Sequence, residues 1–395
     1  MSEPASDLLD VARVYAEKLR GGAAERDRER PYPYAEMDEL RDSLLIRMRV
    51  PVEFGGIEVS YREFTQVLKE LARGDSSVAQ VFGTHLSGVD TIAFAADAAV
   101  RETLYRKIVD DRCLLTNSWS ESTGKHPLDW STKLTAADGP DRFRLSGEKY
   151  YSTGCQSAQI LVVGALGDGH TFPGACLAFA PAKAAGVEII DDWRGFGQRT
   201  TASGTTRFTD VEIPDGWVVD MSDAMPDTSL YSVMFQLIFG SIYTGIAQAA
   251  LDDTVDFVQR RTRAWMDSGV EQASKDPYTL QRAGDMQVAA HAAEMLVYRA
   301  ADAADASQRS PSAHSRGLAS VATAEAKVAS TDVALECAAM ALQLCGSRGV
   351  DEKHGLDRHW RNARTLTLHD PVDYKRRLVG DFVLNGQLPP VTGFS

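Results

Sequence analysis

Cysteine is scarce in this sequence: five residues in 395, odd in number, widely spaced, and without a Cys-x-x-Cys pair. Cys113, Cys155, Cys176, Cys337 and Cys345 therefore outline neither a disulfide framework nor a zinc site, and a reducing cytoplasm is the expected compartment. A basic excess is also lacking. The 42 Lys and Arg stand against 55 Asp and Glu, and the formal net charge of -13 disfavours a broad nucleic-acid surface, which needs clustered cations to neutralise phosphates. No stretch of about 18 uninterrupted apolar residues occurs. Residues 1 to 18 carry acids rather than a basic start followed by an apolar block, so neither a membrane span nor an export signal is expected. With 44% hydrophobic and 25% charged residues, the composition is that of a globular chain, long enough for two or three folding units.

What is present changes along the chain. From residue 7 to about 109, apolar positions recur at helical spacing, as in Phe64, Val67, Leu68 and Leu71 after the turn-forming Gly55-Gly56. Between 113 and about 219 the pattern shifts to short β-branched and aromatic runs separated by Gly, Pro and Asp, which predicts a small, mostly antiparallel β-domain. Three-and-four spacing returns in 229–261, 276–307, 315–345 and 373–384. The predicted architecture is α+β: an N-terminal helical domain (1–112), a central β-barrel-like domain (113–222) and a C-terminal four-helix bundle (223–395).

Particular segments sharpen this order. Gly147-Glu148-Lys149-Tyr150-Tyr151-Ser152-Thr153-Gly154 resembles the segment that runs along the flavin ring in the acyl-CoA dehydrogenase superfamily. Residues Trp193 to Gly204 and Val211-Glu212-Ile213-Pro214 resemble two further segments of that superfamily. Near the C-terminus the dehydrogenases place a proton-abstracting Glu six residues past an Arg-Asp-Ala-Arg motif. Here Arg361-Asn362-Ala363-Arg364 leads to His369-Asp370-Pro371, so Asp370 takes the Glu position. That His-Asp-Pro resembles the dibenzothiophene monooxygenase branch, whose members are two-component flavin monooxygenases of the acyl-CoA dehydrogenase fold. Asn117-Ser118-Trp119-Ser120-Glu121, His85 after Phe82-Gly83-Thr84, and Arg261-Thr262-Arg263-Ala264-Trp265 are similar to further motifs of the branch. Val89 and Leu366 stand where the branch often has an aromatic and another His.

The resemblance implies a monooxygenase that uses FMNH2 delivered by a separate NAD(P)H-dependent flavin reductase, with FADH2 an open alternative. A C4a-hydroperoxyflavin would pass one oxygen of O2 to sulfur, nitrogen or an activated carbon of a small organic substrate. It further implies a homotetramer and a set of roles. His369, whose imidazole type titrates near neutrality, manages the proton. Asn117 and Thr153 line the reactive flavin edge, aided by His85. Ser203, Arg261 and Arg263 hold the phosphate, with Arg261 reaching a neighbouring subunit's flavin. Trp193, Phe235, Phe239, Val89 and Leu366 are candidate substrate walls. Two rivals stay open: an acyl-CoA dehydrogenase or oxidase with Asp370 as base, and a catalytically silent flavin-binding paralogue.

Overall fold

The chain opens with helices because its capping residues stand where helices must start. In the computed structural model, which describes residues 5–126, 129–137, 142–167 and 174–395, five helices come first: α1 (Ala5–Glu29), α2 (Tyr34–Asp42), α3 (Tyr61–Gly74), α4 (Ser76–Ile92) and α5 (Ala98–Asp110). Ser60 and Glu63 form a reciprocal capping box at the start of α3, satisfying donors that the first helical turn cannot pair internally. Asp75 caps α4 through the N–H groups of Ser77 and Val78.

Among the described residues, eight strands follow: β1 (Leu115–Ser118), β2 (Lys133–Ala136), β3 (Phe143–Lys149), β4 (Ile160–Gly167), β5 (Ala175–Pro181), β6 (Val187–Ile189), β7 (Thr206–Ile213) and β8 (Val218–Asp220). They make one sheet in the order β6-β7-β3-β2-β4-β5-β8, with β1 also on β4. Pairings β1/β4 and β2/β4 are parallel and the others antiparallel. Edge strands β6 and β8 do not pair with each other among the described residues. At Gly147, φ is +152° and an added Cβ would lie 2.4 Å from the Thr132 hydroxyl oxygen, so only glycine allows β3 to pass that close.

Helices then resume with the short α6 (Met221–Ala224), followed by α7 (Tyr231–Arg260), α8 (Pro277–Arg309), α9 (Ala313–Gly349), α10 (Asp357–Thr367) and α11 (Val372–Asn385). The four expected helical segments are joined by α10, which periodicity did not reveal. Its buried face carries Arg358, His359 and Asn362 beside Ala363 and Leu366, so polar residues interrupt the apolar rhythm. Helices α7 and α9 are each long and apolar enough to cross a membrane by length and composition. For α7, however, 89% of the relevant window is buried inside the fold. It is the central core helix, packed on α3, α4, α8 and α9.

Candidate functional site

One face of α7 carries Tyr231, Phe235, Gln236, Phe239 and Tyr243, positions that spacings of three to five residues bring into one stripe. Ring centroids lie 5.5 Å apart for Tyr231 and Phe235 and 6.4 Å apart for Phe239 and Tyr243. Opposite this stripe, the turn from α10 into α11 presents His369 and Asp370. The His369 N–H donates to the Leu366 carbonyl at 3.0 Å, closing the last turn of α10, and Pro371 then opens α11. The imidazole of His369 packs 4.3 Å from the Phe239 ring and stays 43% exposed.

Asp370 is buried at 5% exposure. Its carboxylate accepts from Lys327 Nζ at 2.9 Å, Lys375 Nζ at 3.2 Å and Gln236 Nε2 at 3.3 Å, with His369 Nδ1 at 3.4 Å. Burial by itself would raise the Asp370 pKa. The His369 hydrogen bond and the Lys327 and Lys375 charges outweigh it and hold the carboxyl well below its usual range. Lys327, sandwiched against the rings of Phe239 and Tyr243 at 4.4 and 5.2 Å, is pushed down to about 8 by burial. Asp370 is thus a charged anchor for two lysines and an orienting partner for His369.

Strand β1 and helix α4 form the adjoining wall. Asn117 donates from Nδ2 to the Ser87 hydroxyl at 3.2 Å, and the Trp119 ring packs 5.3 Å from Phe235 and 6.2 Å from Tyr231. His85 has a different place from the one expected. Its ring is fully buried, Nε2 lies 3.0 Å from the Ile46 carbonyl, and Nδ1 accepts the Leu115 N–H at 3.3 Å. Burial pushes its pKa down to about 4. Both nitrogens are committed to backbone, so His85 pins the start of β1 two residues from Asn117 and has no polar atom left for a ligand. Val89 and Leu366 are buried in the same apolar core, at 0% and 3% exposure.

Thr153 and Ser203 come together, their hydroxyls 2.8 Å apart, and Ser203 continues to Thr201 at 2.6 Å. The segment carrying Thr153 is laced to the loop after β1 by the Tyr150 N–H on the Ser120 carbonyl and to the loop before β7 by the Gly154 N–H on the Thr201 carbonyl. Within the flavin-like motifs, Lys149 and Glu121 find each other: Lys149 Nζ donates to Glu121 Oε1 at 2.8 Å and to the Trp119 carbonyl at 3.0 Å. Spacing had not revealed that pair, which ties the Trp119 loop to β3. Trp193 faces Tyr150 and Tyr151 at 6.5 and 6.1 Å and lines a cleft of about 200 Å³ with Arg30, Tyr32, Arg194 and Arg199. It has no ring contact with Phe235 or Phe239 among the described residues. Asn362 on α10 binds the Gln198 N–H at 2.7 Å, which joins this loop to the helix that ends at His369.

Arg261 and Arg263 are both exposed beyond the C-terminal end of α7. The 25 residues from Gln236 to Arg261 run along a helix rising about 1.5 Å per residue, which separates Arg261 from the His369 face by roughly 37 Å. The structure does not unite these arginines with His369 in one chain.

Among the described residues, several buried polar atoms of α7 and of β1 and the loop after it have no partner: Asn117 Oδ1, Trp119 Nε1, Thr116 Oγ1, Gln236 Oε1 and Tyr243 Oη. Buried polar groups are nearly always paired. A donor and several acceptors left open between aromatic walls fit a planar ligand with a polar edge, such as a flavin ring.

Residues 4–112 match the family model described as acyl-CoA dehydrogenase, N-terminal domain, and residues 237–374 the one described as acyl-CoA dehydrogenase, C-terminal domain. The chain is 34% identical to a dibenzothiophene monooxygenase of Rhodococcus erythropolis, over 99% of this chain and 96% of that one. It is 31% identical to a probable FMNH2-dependent monooxygenase of Pseudomonas putida, over 100% and 99%. The FMN-bound structure of TdsC from Paenibacillus sp. A11-2 matches with a TM-score of 0.92 at 30% identity, covering 98% of this chain and 100% of that one.

Proposed function

The chain belongs to the acyl-CoA dehydrogenase family, within its branch of flavin-dependent monooxygenases, and on that premise we propose that its FMNH2-dependent reaction transfers one oxygen of O2 to sulfur or nitrogen of a small, uncharged organic substrate. Bound FMNH2 supplies the activation of O2, which no side chain here can perform. The remaining work falls to the protein. His369, oriented at Nδ1 by Asp370, gives and takes a proton at Nε2. Asn117 and Thr153 would hydrogen-bond the reactive edge of a bound flavin, with Ser203, itself bonded to Thr153, behind them. Phe235, Phe239 and Trp119 keep water from the reacting atoms.

The observation that carries this reading against a dehydrogenase is the state of Asp370. A base that abstracts a carbon-bound proton must be free and near its operating pKa. Asp370 is held ionised between Lys327 and Lys375, and it lacks the reach of a Glu by one methylene.

Arg261 and Arg263 serve the flavin phosphate of a neighbouring copy, a role supported by their distance along α7 from their own site. Exposed apolar residues on α8 (Tyr278, Leu280, Val288, Met295) and α11 (Val383, Leu384) fit burial between copies, consistent with a homotetramer. A separate NAD(P)H-dependent reductase delivers the reduced flavin. The compartment is the cytoplasm, in keeping with five free cysteines, all buried. FMN rather than FAD is the cofactor.

Rapid mixing of anaerobic, FMNH2-loaded protein with O2 tests the reading. Flavin reoxidation slower than for free FMNH2, with little H2O2 released and oxygen incorporated into an aromatic sulfide, is expected. Bleaching of bound oxidised flavin by an acyl-CoA would overturn it in favour of the dehydrogenase.

A further inference from the structure

We propose that Gln80 and Thr84 of α4 form a further wall of the pocket, and that Gln80 selects substrates carrying an N–H or O–H beside the atom to be oxygenated. The proposal rests on the reading of Asn117 and Thr153 as the flavin's contacts and narrows the substrate class of that same site.

Helix α4 is wedged between α7 and the sheet. A Cβ added at Gly83 would lie 2.6 Å from Ile238 of α7, and one added at Gly88 would lie 2.8 Å from Leu115 of β1. At about 100° per residue these two contacts point about 140° apart, and positions 80, 84, 87 and 91 fall between them. Ser87 and Thr91 show what this stripe faces. Ser87 meets Asn117 of β1 at 3.2 Å, and Thr91 meets Tyr231 of α7 at 2.6 Å. The opposite side of α4, with Phe82, His85, Leu86 and Val89, is buried in the core.

Ser87 and Thr91 are fully buried and close the wedge at their end, whereas Gln80 and Thr84 are only half-buried. The contacts of Thr91 with Tyr231 and of Gly83 with Ile238 make α4 and α7 antiparallel. Thr84 is therefore level with the turn of α7 that carries Phe235 and Phe239, and His369 packs on Phe239 at 4.3 Å. From the sheet side, Gly154 comes against α4 at Val81, where an added Cβ would lie 2.7 Å from Cγ1. Gln80 and Thr84 thus face the space bounded by His369 and by the segment of Thr153.

Both residues present acceptors there. Thr84 donates its one proton to the Val81 carbonyl at 2.7 Å, which leaves Oγ1 able only to accept. Gln80 Oε1 is buried and has no partner among the described residues. Two acceptors one turn apart call for a donor from a ligand. Asn117 and Thr153, the contacts assigned to the flavin, come from the sheet side, so the α4 wall is left to the substrate. A substrate bearing an N–H or O–H pairs Gln80 Oε1. One without it leaves the carbonyl stranded, and a site built to bond a donor rejects such an analogue.

The test loads the full-length protein with FMN and measures by calorimetry the dissociation constants of three sulfides: thioanisole, ortho-aminothioanisole and its N,N-dimethyl derivative. The native chain is compared with Gln80→Met and Thr84→Val, with urea midpoints as a control for folding. The native chain is expected to prefer ortho-aminothioanisole over the other two by about tenfold. Gln80→Met should bring that ratio close to one while binding thioanisole no more weakly, a combination that a damaged fold would not give. Thr84→Val keeps the Gln80 carbonyl and should narrow the preference by less. No preference in the native chain, or a preference left intact in Gln80→Met, overturns the selection. A Gln80→Met variant that loses FMN affinity with the sulfide ratio unmoved gives the residue to the flavin and overturns the selection as well. If the native chain binds neither FMN nor FMNH2, the flavin reading itself falls, and the substrate wall with it. Should Gln80→Met not fold, Gln80→Ala decides the matter.

Discussion

Replacing Asp370 by asparagine keeps the shape of the side chain and removes its charge, leaving Lys327 and Lys375 buried without a counter-ion. Their side chains are 1% and 4% exposed, and that of Asp370 is 6% exposed. Breaking such a pair by removing one partner typically costs about 3 to 5 kcal/mol, far more than the net worth of the intact pair. Lys327→Met should cost less, on the order of 1 to 3 kcal/mol, because Lys375 still balances the carboxylate. The double variant should then regain on the order of 2 kcal/mol over the sum of the singles, since Lys327→Met removes one of the two lysine charges that Asp370→Asn strands. The pH dependence has a definite sign. Burial lowers Lys327 from 10.5 to about 8, so between those values the unfolded chain binds more protons and stability rises with pH. Without the carboxylate the folded-state value falls further, the rise begins at lower pH, and the penalty of Asp370→Asn shrinks between pH 6 and pH 8. Urea unfolding followed by circular dichroism at several pH values measures each quantity. A penalty below about 1 kcal/mol, or strict additivity in the double variant, would refute the buried-clamp account.

Four further predictions concern His369, His85 and Arg261. His369→Ala should abolish productive oxygen transfer while changing stability by less than about 0.5 kcal/mol, because the side chain is 43% exposed; His85→Ala should instead cost about 2 to 4 kcal/mol by stranding the Leu115 N–H and the Ile46 carbonyl. Because burial holds His85 at about 4 against an ordinary 6.5, the unfolded chain binds the extra proton between those values. Native stability should decline as pH falls through that window, and the His85→Gln variant should lose that component of the decline. Arg261→Ala should weaken FMN binding at least tenfold; in hetero-oligomers mixed with a variant defective at Ser203, binding should recover in part of the sites if the arginine acts on a neighbour's flavin.

The order of helices, strands and helices was legible because the signals are local: three-and-four spacing, and short β-branched runs between turn residues, can be read from adjacent positions. The caps at Ser60, Asp75 and Asp276 are local too, though hydrophobic spacing alone did not pick them out. The sequence by itself also determined the family, since His369-Asp370-Pro371, the Asn117 segment and the Lys149 segment recur in fixed order along the chain. It also supplied the residue types that carry the chemistry.

Tertiary structure alone decided what those residues do for one another. Lys327, on α9, and Asp370, in the turn between α10 and α11, are 43 positions apart, and nothing local marks a lysine in an alanine-rich helix as the counter-ion of a distant aspartate. Tyr231 and Thr91, 140 positions apart, read as ordinary helical residues until the crossing of α4 and α7 places their hydroxyls in contact. His85 drew attention as a histidine in a suggestive motif, yet burial and two backbone partners make it a structural pin. The physical reason is common to all three cases. A side chain's charge state, free lone pairs and exposure are set by neighbours brought in from elsewhere in the chain, and those neighbours exist only after folding.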